Sequence, residues 1–465
     1  MVSRSLKFVA SACAGEQLGG SPDVLITRVC SDSRQAQPGD LFFALTGERF
    51  DGHDFVAEVA KKGAAAVVVQ TSRLPAEPVG CPVISVNNPR QALSSLAARY
   101  RTDFELPVIA VGGSNGKTTT KELLAAVLRQ RFNTLWSEAS FNNDIGVPMT
   151  LLKLELNHQA AVLEAGTNHP GELAPLVRMI QPKFGVITSI GREHLEFFGD
   201  LDGVVAEEGW LAELLPANGM LFVNGDNEWA DRLAGRTLAR TVRVGFCLGN
   251  DWQAHDVRLD ALGTNFQVRS PRPEFGGEYR VNLIGRHQAA NALFALAAGA
   301  ELGLTPDQIR RGLEECKPAK MRMQPWDLNG VCVLDDAYNA NADSMLAALA
   351  TLSEMSCRGR RVAVLGDMGE LGPHSPAAHA EIGRAAAESS VDQFFAVGKM
   401  AGVMAGAARE AGLKSVDEFA DAPAAADAVK SFLKPGDVVL LKASRSSHLE
   451  RLSEALRDAI RTGKA

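Results

Sequence analysis

The segment VIAVGGSNGKTTTKELL sets Gly113, Ser114, Asn115, Gly116, Lys117, Thr118 and Thr119 between a β-branched apolar run and an amphipathic stretch. Strand, glycine bend and helix in that order make a cradle for phosphate. Glycines let the backbone curve so that N–H groups converge on an anion. Lys117 can place a positive charge on the β- and γ-phosphates of a nucleotide, and the Thr118 hydroxyl suits Mg²⁺. The spacing departs from the common G-x-x-x-x-G-K-[ST] form: Val111 stands where the first glycine is usual, and Gly112 comes one residue later. A plain glycine turn would also join a strand to a helix, but it has no need of the Gly-Lys-Thr triplet.

Other chemistry-bearing residues stand at the ends of apolar runs. Glu164 closes AVLEAG, and His194 lies in SIGREHLEFFG. Glu207 and Glu208 follow in VVAEEGW. Asp335 and Asp336 end VCVLDD, with Tyr338, Asn339 and Asn341 just beyond, and Ser444, Arg445 and Ser446 follow DVVLLKA. Strand ends of this kind are where open α/β sheets carry ligand sites. Ser31, Asp32, Ser33 and Arg34, the pair Thr46-Gly47, and Asn142, Asn143 and Asp144 form polar turns, which ordinary loops also do.

The elements that must hold these groups fall into three stretches. A chain of 465 residues predicts about three domains. Residues 1–104 read as a small α/β unit, 105–318 as a strand–loop–helix domain with further buried strands, and 319–465 as a second run of strands alternating with helices. Residues 252–283 alternate apolar and polar side chains, as antiparallel strands do. The expected fold is α/β: a central phosphate-loop domain on a mostly parallel sheet, flanked by a small N-terminal α/β domain and a C-terminal Rossmann-like domain.

Composition agrees and excludes several classes. Hydrophobic residues make up 46% and charged residues 22%, which is not the balance of a disordered chain. A net charge of −7 gives no basic field for nucleic acid. The seven cysteines are scattered and none is paired as C-x-x-C, which predicts reduced thiols rather than a disulfide frame or zinc site. No apolar run is long enough for a membrane span. Arg4 and Lys7 before FVASACAG faintly mimic an export signal, but the run is short and polar-interrupted, so a helix and a cytoplasmic, monomeric protein are expected.

Taken as ordered blocks, the sequence resembles the Mur ligase family. The first stretch carries SDSR, PGDLFFAL and DGHDF. The second carries GGSNGKTTTK, FNNDIGVPMTLL, EAGTNHPGEL, REHLEFFG and GRHQAANAL. The third carries DDAYNANADSM, VLGDMGELG and LKASRS. The resemblance spans nearly the whole chain. It implies an ATP- and Mg²⁺-dependent amide ligase of peptidoglycan precursor synthesis, working through an acyl phosphate. The forms DDAYNAN and VLGDMGELG look most like the branch that joins D-alanyl-D-alanine to UDP-N-acetylmuramoyl-tripeptide. The diaminopimelate-adding branch carries Asp-Asn-Pro-Arg in its last domain, whereas Asn87-Asn88-Pro89-Arg90 here lies in the first.

The resemblance also implies roles. Glu164 and His194 would hold metal, His194 beside phosphate. At the Glu208 position most of the family has a lysine carbamylated by CO₂; here a carboxylate would stand there directly, reaching Mg²⁺ through water. Asn291, with His287 nearby, looks like the reader of the adenine edge, Asp336 like the ribose partner, and Arg322 like a γ-phosphate contact. The family's usual Gly-Arg-Met is Met321-Arg322-Met323 here, which predicts a stiffer domain junction. Tyr338, Asn339, Asn341, Ser444 and Arg445 would meet the incoming dipeptide, and Asn142, Asn143 and Asp144 the muramoyl peptide. Ser31, Asp32, Ser33 and Thr46 would hold the sugar nucleotide. Alternatives are a neighbouring amide ligase, including a folate or cyanophycin relative, or a non-catalytic nucleotide-binding switch.

Overall fold

The computed structural model describes residues 1–47 and 49–461. Its centre is a nine-stranded sheet. Strand Val108–Gly112 lies between Ala160–Glu164 and Phe184–Ile187, with Thr134–Trp136 at one edge. On the other side follow Met220–Asn224, Arg240–Gly245 and Trp252–Asp260, all parallel. Every residue of Val108–Gly112 and Ala160–Glu164 is buried, as two covered faces require. The alternating segment extends this sheet as antiparallel strands Trp252–Asp260, Gly263–Arg269 and Gly277–Val281.

Two helices cover the face behind the phosphate-loop strand. Helix Lys117–Leu128 packs on the alanine-rich helix Arg286–Glu301, which buries residues around its whole circumference. Small side chains let these helices lie close together, and the core they share runs from Ile109 and Val111 to Leu293 and Leu296.

The first stretch forms a five-stranded sheet, ordered Glu16–Leu18, Val83–Val86, Ala66–Gln70, Asp40–Phe43, Arg28–Cys30, parallel except for the first strand. The N-terminal run expected to be helical is helix Leu6–Ala12, capped by Ser5. The last stretch forms a six-stranded sheet in which Val331–Asp336, Val438–Lys442, Arg361–Gly366, Gln393–Val397 and Val416–Phe419 run parallel. Its antiparallel edge strand Gln324–Leu328 and the strand Val416–Phe419 were not anticipated, because each is short, polar and partly exposed. Among the described residues, no helix is long and apolar enough to cross a membrane.

Candidate active site

Strand Val108–Gly112 delivers its C-terminal end into a cavity of about 870 Å³ between the second and third sheets. Gly113 has φ of +104° and Gly116 of +86°. A Cβ on Gly113 would lie 2.5 Å from Thr188 Oγ1, and one on Gly116 would lie 2.6 Å from Asn291 Oδ1. Both positions therefore demand glycine for backbone conformation and for space.

The bend does not present all its amides to a ligand, as its glycine content suggested. The Gly113 N–H donates to Glu208 Oε2 (2.7 Å), Ser114 N–H to Ser189 O (2.8 Å) and Asn115 N–H to Ser189 Oγ (3.0 Å). These bonds fix the loop's shape. The amides left for an anion are those of the first turn of helix Lys117–Leu128, which lack intrahelical acceptors. Residues 114–119 line the cavity at that turn.

Lys117 is the electrostatic centre. Its Nζ donates to Gly113 O (2.5 Å) and lies 3.3 Å from Glu193 Oε2. Burial pulls the ammonium's pKa down, but Glu193, Glu208 and Glu164 more than offset this and the pKa is raised. Burial pushes the Glu208 carboxyl up to about 8, Lys117 opposing and Glu193 adding to the rise. Glu164 accepts from Asn142 Nδ2 (2.9 Å) through one oxygen. Each of Glu164, Glu193 and Glu208 keeps one buried oxygen with no hydrogen-bond partner.

These oxygens bear on Mg²⁺. The donors around Lys117 are carboxylates, with the Thr118 hydroxyl 3.3 Å from Ser140 Oγ, and a hard cation prefers such oxygens. Among the described residues, no three His, Cys, Asp or Glu side chains form a preassembled cage. This suits an ion that keeps waters and shares phosphate oxygens. The residues present fit Mg²⁺ brought with a nucleotide.

The third sheet supplies the opposite wall. Arg322 stacks on the Tyr338 ring, 4.2 Å from its centroid, and reaches Ser140 Oγ at 3.5 Å. The residues flanking Arg322 have φ of +56° (Met321) and +46° (Met323), a region that favours glycine, so the junction carries strain where stiffness was expected. Asn341 Nδ2 donates to Asn115 Oδ1 (3.0 Å), joining the third sheet to the bend. Asp336 accepts from Lys442 Nζ (2.5 Å) and from Met323 N–H (2.9 Å). Asn339 O accepts from the same Nζ (3.1 Å), and Asn339 Oδ1 from Arg445 N–H (3.4 Å). Ser444 and Arg445 also line the cavity. Asn291 Oδ1 accepts from Thr120 Oγ1 (3.3 Å). Burial lowers His287 to about 4, so its ring is neutral at neutral pH.

Other expected residues lie elsewhere. Glu208 sits beneath the bend and is not in the cavity wall. Glu207 accepts from the Gly171 and Leu173 N–H groups, a local structural role. Asp335 accepts from Ser453 Oγ (2.6 Å), away from the cavity. Asp32 caps a short turn and pairs with Arg34 beside Ser31 and Ser33, all in the first sheet's loops. Asn143 accepts from the Ile145 and Gly146 N–H groups at a helix start. Asn87-Asn88-Pro89-Arg90 proves to be another helix start, with Asn88 as cap. Arg90 from that helix pairs with Asp144 (2.8 Å) and touches Thr46 O (3.5 Å), tying the first and second stretches together.

Four site residues escaped the sequence reading. Glu193 and Glu370 both contact His194, Glu370 through Nδ1. Lys442 underlies Asp336, and Arg192 binds Asp343 and Glu381 across the junction. The pairing Glu193-His194 was a visible signal; Glu370, in a remote loop, and Lys442, at a remote strand end, had none.

A phosphate-loop sheet facing a second α/β sheet across a polar, acid-rich cleft defines a multidomain nucleotide-dependent enzyme. Family models agree on which one. Residues 25–101 match the Mur ligase family catalytic domain, 111–299 the Mur ligase middle domain, and 321–445 the Mur ligase glutamate ligase domain. The chain belongs to the Mur ligase family. Its relatives include the UDP-N-acetylmuramoyl-tripeptide–D-alanyl-D-alanine ligase of Escherichia coli K12, 37% identical and covering 98% of this chain and 99% of the relative. The enzyme of that name from Bacillus subtilis is 34% identical over the same shares. Among solved structures, MurF from Acinetobacter baumannii superposes with a TM-score of 0.88 at 32% identity, covering 98% of this chain and 99% of that one. MurF ligase from Thermotoga maritima in complex with ADP gives 0.81 at 26% identity, covering 94% and 98%.

Proposed function

We propose that this chain joins D-alanyl-D-alanine to UDP-N-acetylmuramoyl-tripeptide with ATP and Mg²⁺, in the cytoplasm. The observation that carries the reading is Lys117, which opens the helix after the bend, is kept charged by three buried acids and lines one cavity with Arg322 of the third stretch. The relatives' shared name supplies the substrates.

The chemistry must bring two anions together. The tripeptide carboxylate attacks the γ-phosphorus and ADP leaves. The dipeptide amine then attacks the acyl carbon, and inorganic phosphate leaves as the amide forms. Mg²⁺, when bound, neutralises phosphate charge. Thr118, Glu164 and His194 are the residues that would hold it; Glu208, expected to join them, instead lies behind the bend on the Gly113 N–H. Gly113, Ser114 and Asn115 shape the bend; Gly116, Lys117, Thr118 and Thr119 bind phosphate. Asn291 and neutral His287 meet adenine, Asp336 the ribose, and Arg322 the γ-phosphate as the domains close. Tyr338, Asn339, Asn341, Ser444 and Arg445 receive the dipeptide. The sugar nucleotide lies against Ser31, Asp32, Ser33 and Thr46, with Asn142, Asn143 and Asp144 beside its peptide. In this division residues 1–104 bind the sugar nucleotide, 105–318 bind ATP and 319–465 bind the amine.

The test is phosphate release, with product mass, from ATP plus a panel of UDP-muramoyl peptides and amines. Release that needs both tripeptide and D-alanyl-D-alanine supports the reading. ATP hydrolysis without them, or full turnover by Lys117→Ala, refutes it.

A further inference from the structure

Three acids surround one ammonium at the phosphate loop, Glu164 and Glu193 from the cavity side and Glu208 from behind the bend. Glu164 and Glu208 are 1% exposed and Glu193 is 6% exposed. Burying carboxylates with too few cations is costly, because water no longer screens them. The other nearby cation candidate is already engaged: His194 Nδ1 contacts Glu370, and its Nε2 stands 3.8 Å from Glu193 Oε2. Lys121 is turned away, donating to Ser137 O (2.7 Å) and Ala139 O (2.6 Å).

Glu193 differs from Glu208 in one decisive respect. It lines the cavity, whereas Glu208 lies behind the bend. One Glu193 oxygen restrains Lys117 at 3.3 Å, and the other is buried and unpartnered. Glu164, in the same wall, presents a second unpartnered oxygen.

We propose that Glu193 is a further carboxylate of the divalent-cation site, its free oxygen Oε1 binding the cation that accompanies the nucleotide while Oε2 restrains Lys117. This rests on the ATP-dependent reading above. The two oxygens act in opposite directions on ligand binding. Oε1 favours a nucleotide that arrives with a cation. Oε2 competes with phosphate for Lys117, and its charge repels phosphate that arrives alone. A residue that only braced the loop would weaken both forms alike.

The experiment is isothermal titration of the full chain with the non-hydrolysable analogue AMPPNP, with and without Mn²⁺, and electron paramagnetic resonance of bound Mn²⁺. Glu193→Gln keeps size and loses charge. It is expected to lower Mn²⁺ affinity in the AMPPNP complex about tenfold and to tighten metal-free AMPPNP roughly threefold. Glu193→Asp keeps the charge on a shorter stem. Its Mn²⁺ affinity falls less, and metal-free binding does not tighten. Unchanged Mn²⁺ affinity in Glu193→Gln, or equal weakening with and without Mn²⁺, overturns the proposal. Should Glu193→Gln not fold, Glu193→Asp decides alone: Mn²⁺ affinity equal to wild type overturns the proposal, and a selective loss supports it. Wild type that binds no AMPPNP refutes the ATP reading as well; wild type that binds normally beside an indifferent variant refutes only the role of Glu193.

Discussion

Lys442→Met tests how the third sheet holds its ligand wall. Lys442 ends strand Val438–Lys442, and Asp336 ends the adjacent parallel strand, the two residues lying in register. The ammonium is 4% exposed and the carboxylate 14%. Removing the ammonium leaves Asp336 with only the Met323 N–H among its donors in the structure. Breaking one side of a buried pair costs about 3–5 kcal/mol, since the remaining charge loses its counter-ion. Asp336 borders the cavity, so water relieves part of this, and about 3 kcal/mol is expected. The double variant Lys442→Met/Asp336→Asn carries no charge at the site. It should recover most of the loss, giving a coupling of about 2 kcal/mol. Because a chain with several sheets need not unfold in one step, the assay is native-state hydrogen exchange on peptides covering Val331–Asp336 and Val438–Lys442. A single-variant cost below about 1 kcal/mol, or a double variant no more stable than the single, would refute the reasoning, because the pair would then be behaving as a screened surface contact.

Other outcomes follow from the same geometry. Arg192 donates to Asp343 (2.8 Å) and Glu381 (2.6 Å) across the domain junction, all three being about a third exposed. Screening limits this clasp, so Arg192→Ala should cost only about 1–2 kcal/mol, seen as a larger radius of gyration by X-ray scattering with unchanged melting of each domain. Unchanged scattering would mean other contacts hold the junction. Glu208 is raised from 4.5 to about 8 by burial, so the folded chain keeps a proton that the unfolded chain sheds. Its contribution is full below about pH 4.5 and is lost as pH rises towards 8. The melting temperature of Glu208→Gln relative to wild type should therefore climb across that window; parallel curves would sink the assignment. His287, lowered from 6.5 to about 4 by burial, acts in the opposite sense. Its contribution is present above about pH 6.5 and lost as pH falls towards 4, so His287→Asn should flatten the acid limb of the melting curve. An unchanged acid limb would count against a buried neutral ring.

The phosphate loop was legible in the chain because its parts are contiguous. A strand, a glycine bend and a helix start are set by local backbone preference, and Gly113, Gly116 and Lys117 needed no distant partner to be recognised. The parallel sheets were equally plain, since strands buried on both faces are continuous apolar runs such as AAVL before Glu164 and VVLL before Lys442. Edge strands Gln324–Leu328 and Val416–Phe419 left little trace, because one-sided burial imposes a weak pattern on so short a segment. What tertiary structure alone decided was the fate of each charge. Glu207 and Glu208 are adjacent in sequence, yet one holds the Gly171 turn and the other the Gly113 amide. Lys442 meets Asp336 across 106 positions, and His194 meets Glu370 across 176. Electrostatic energy depends on distance and burial, and neither can be read along a chain until folding has brought its strand ends to one place.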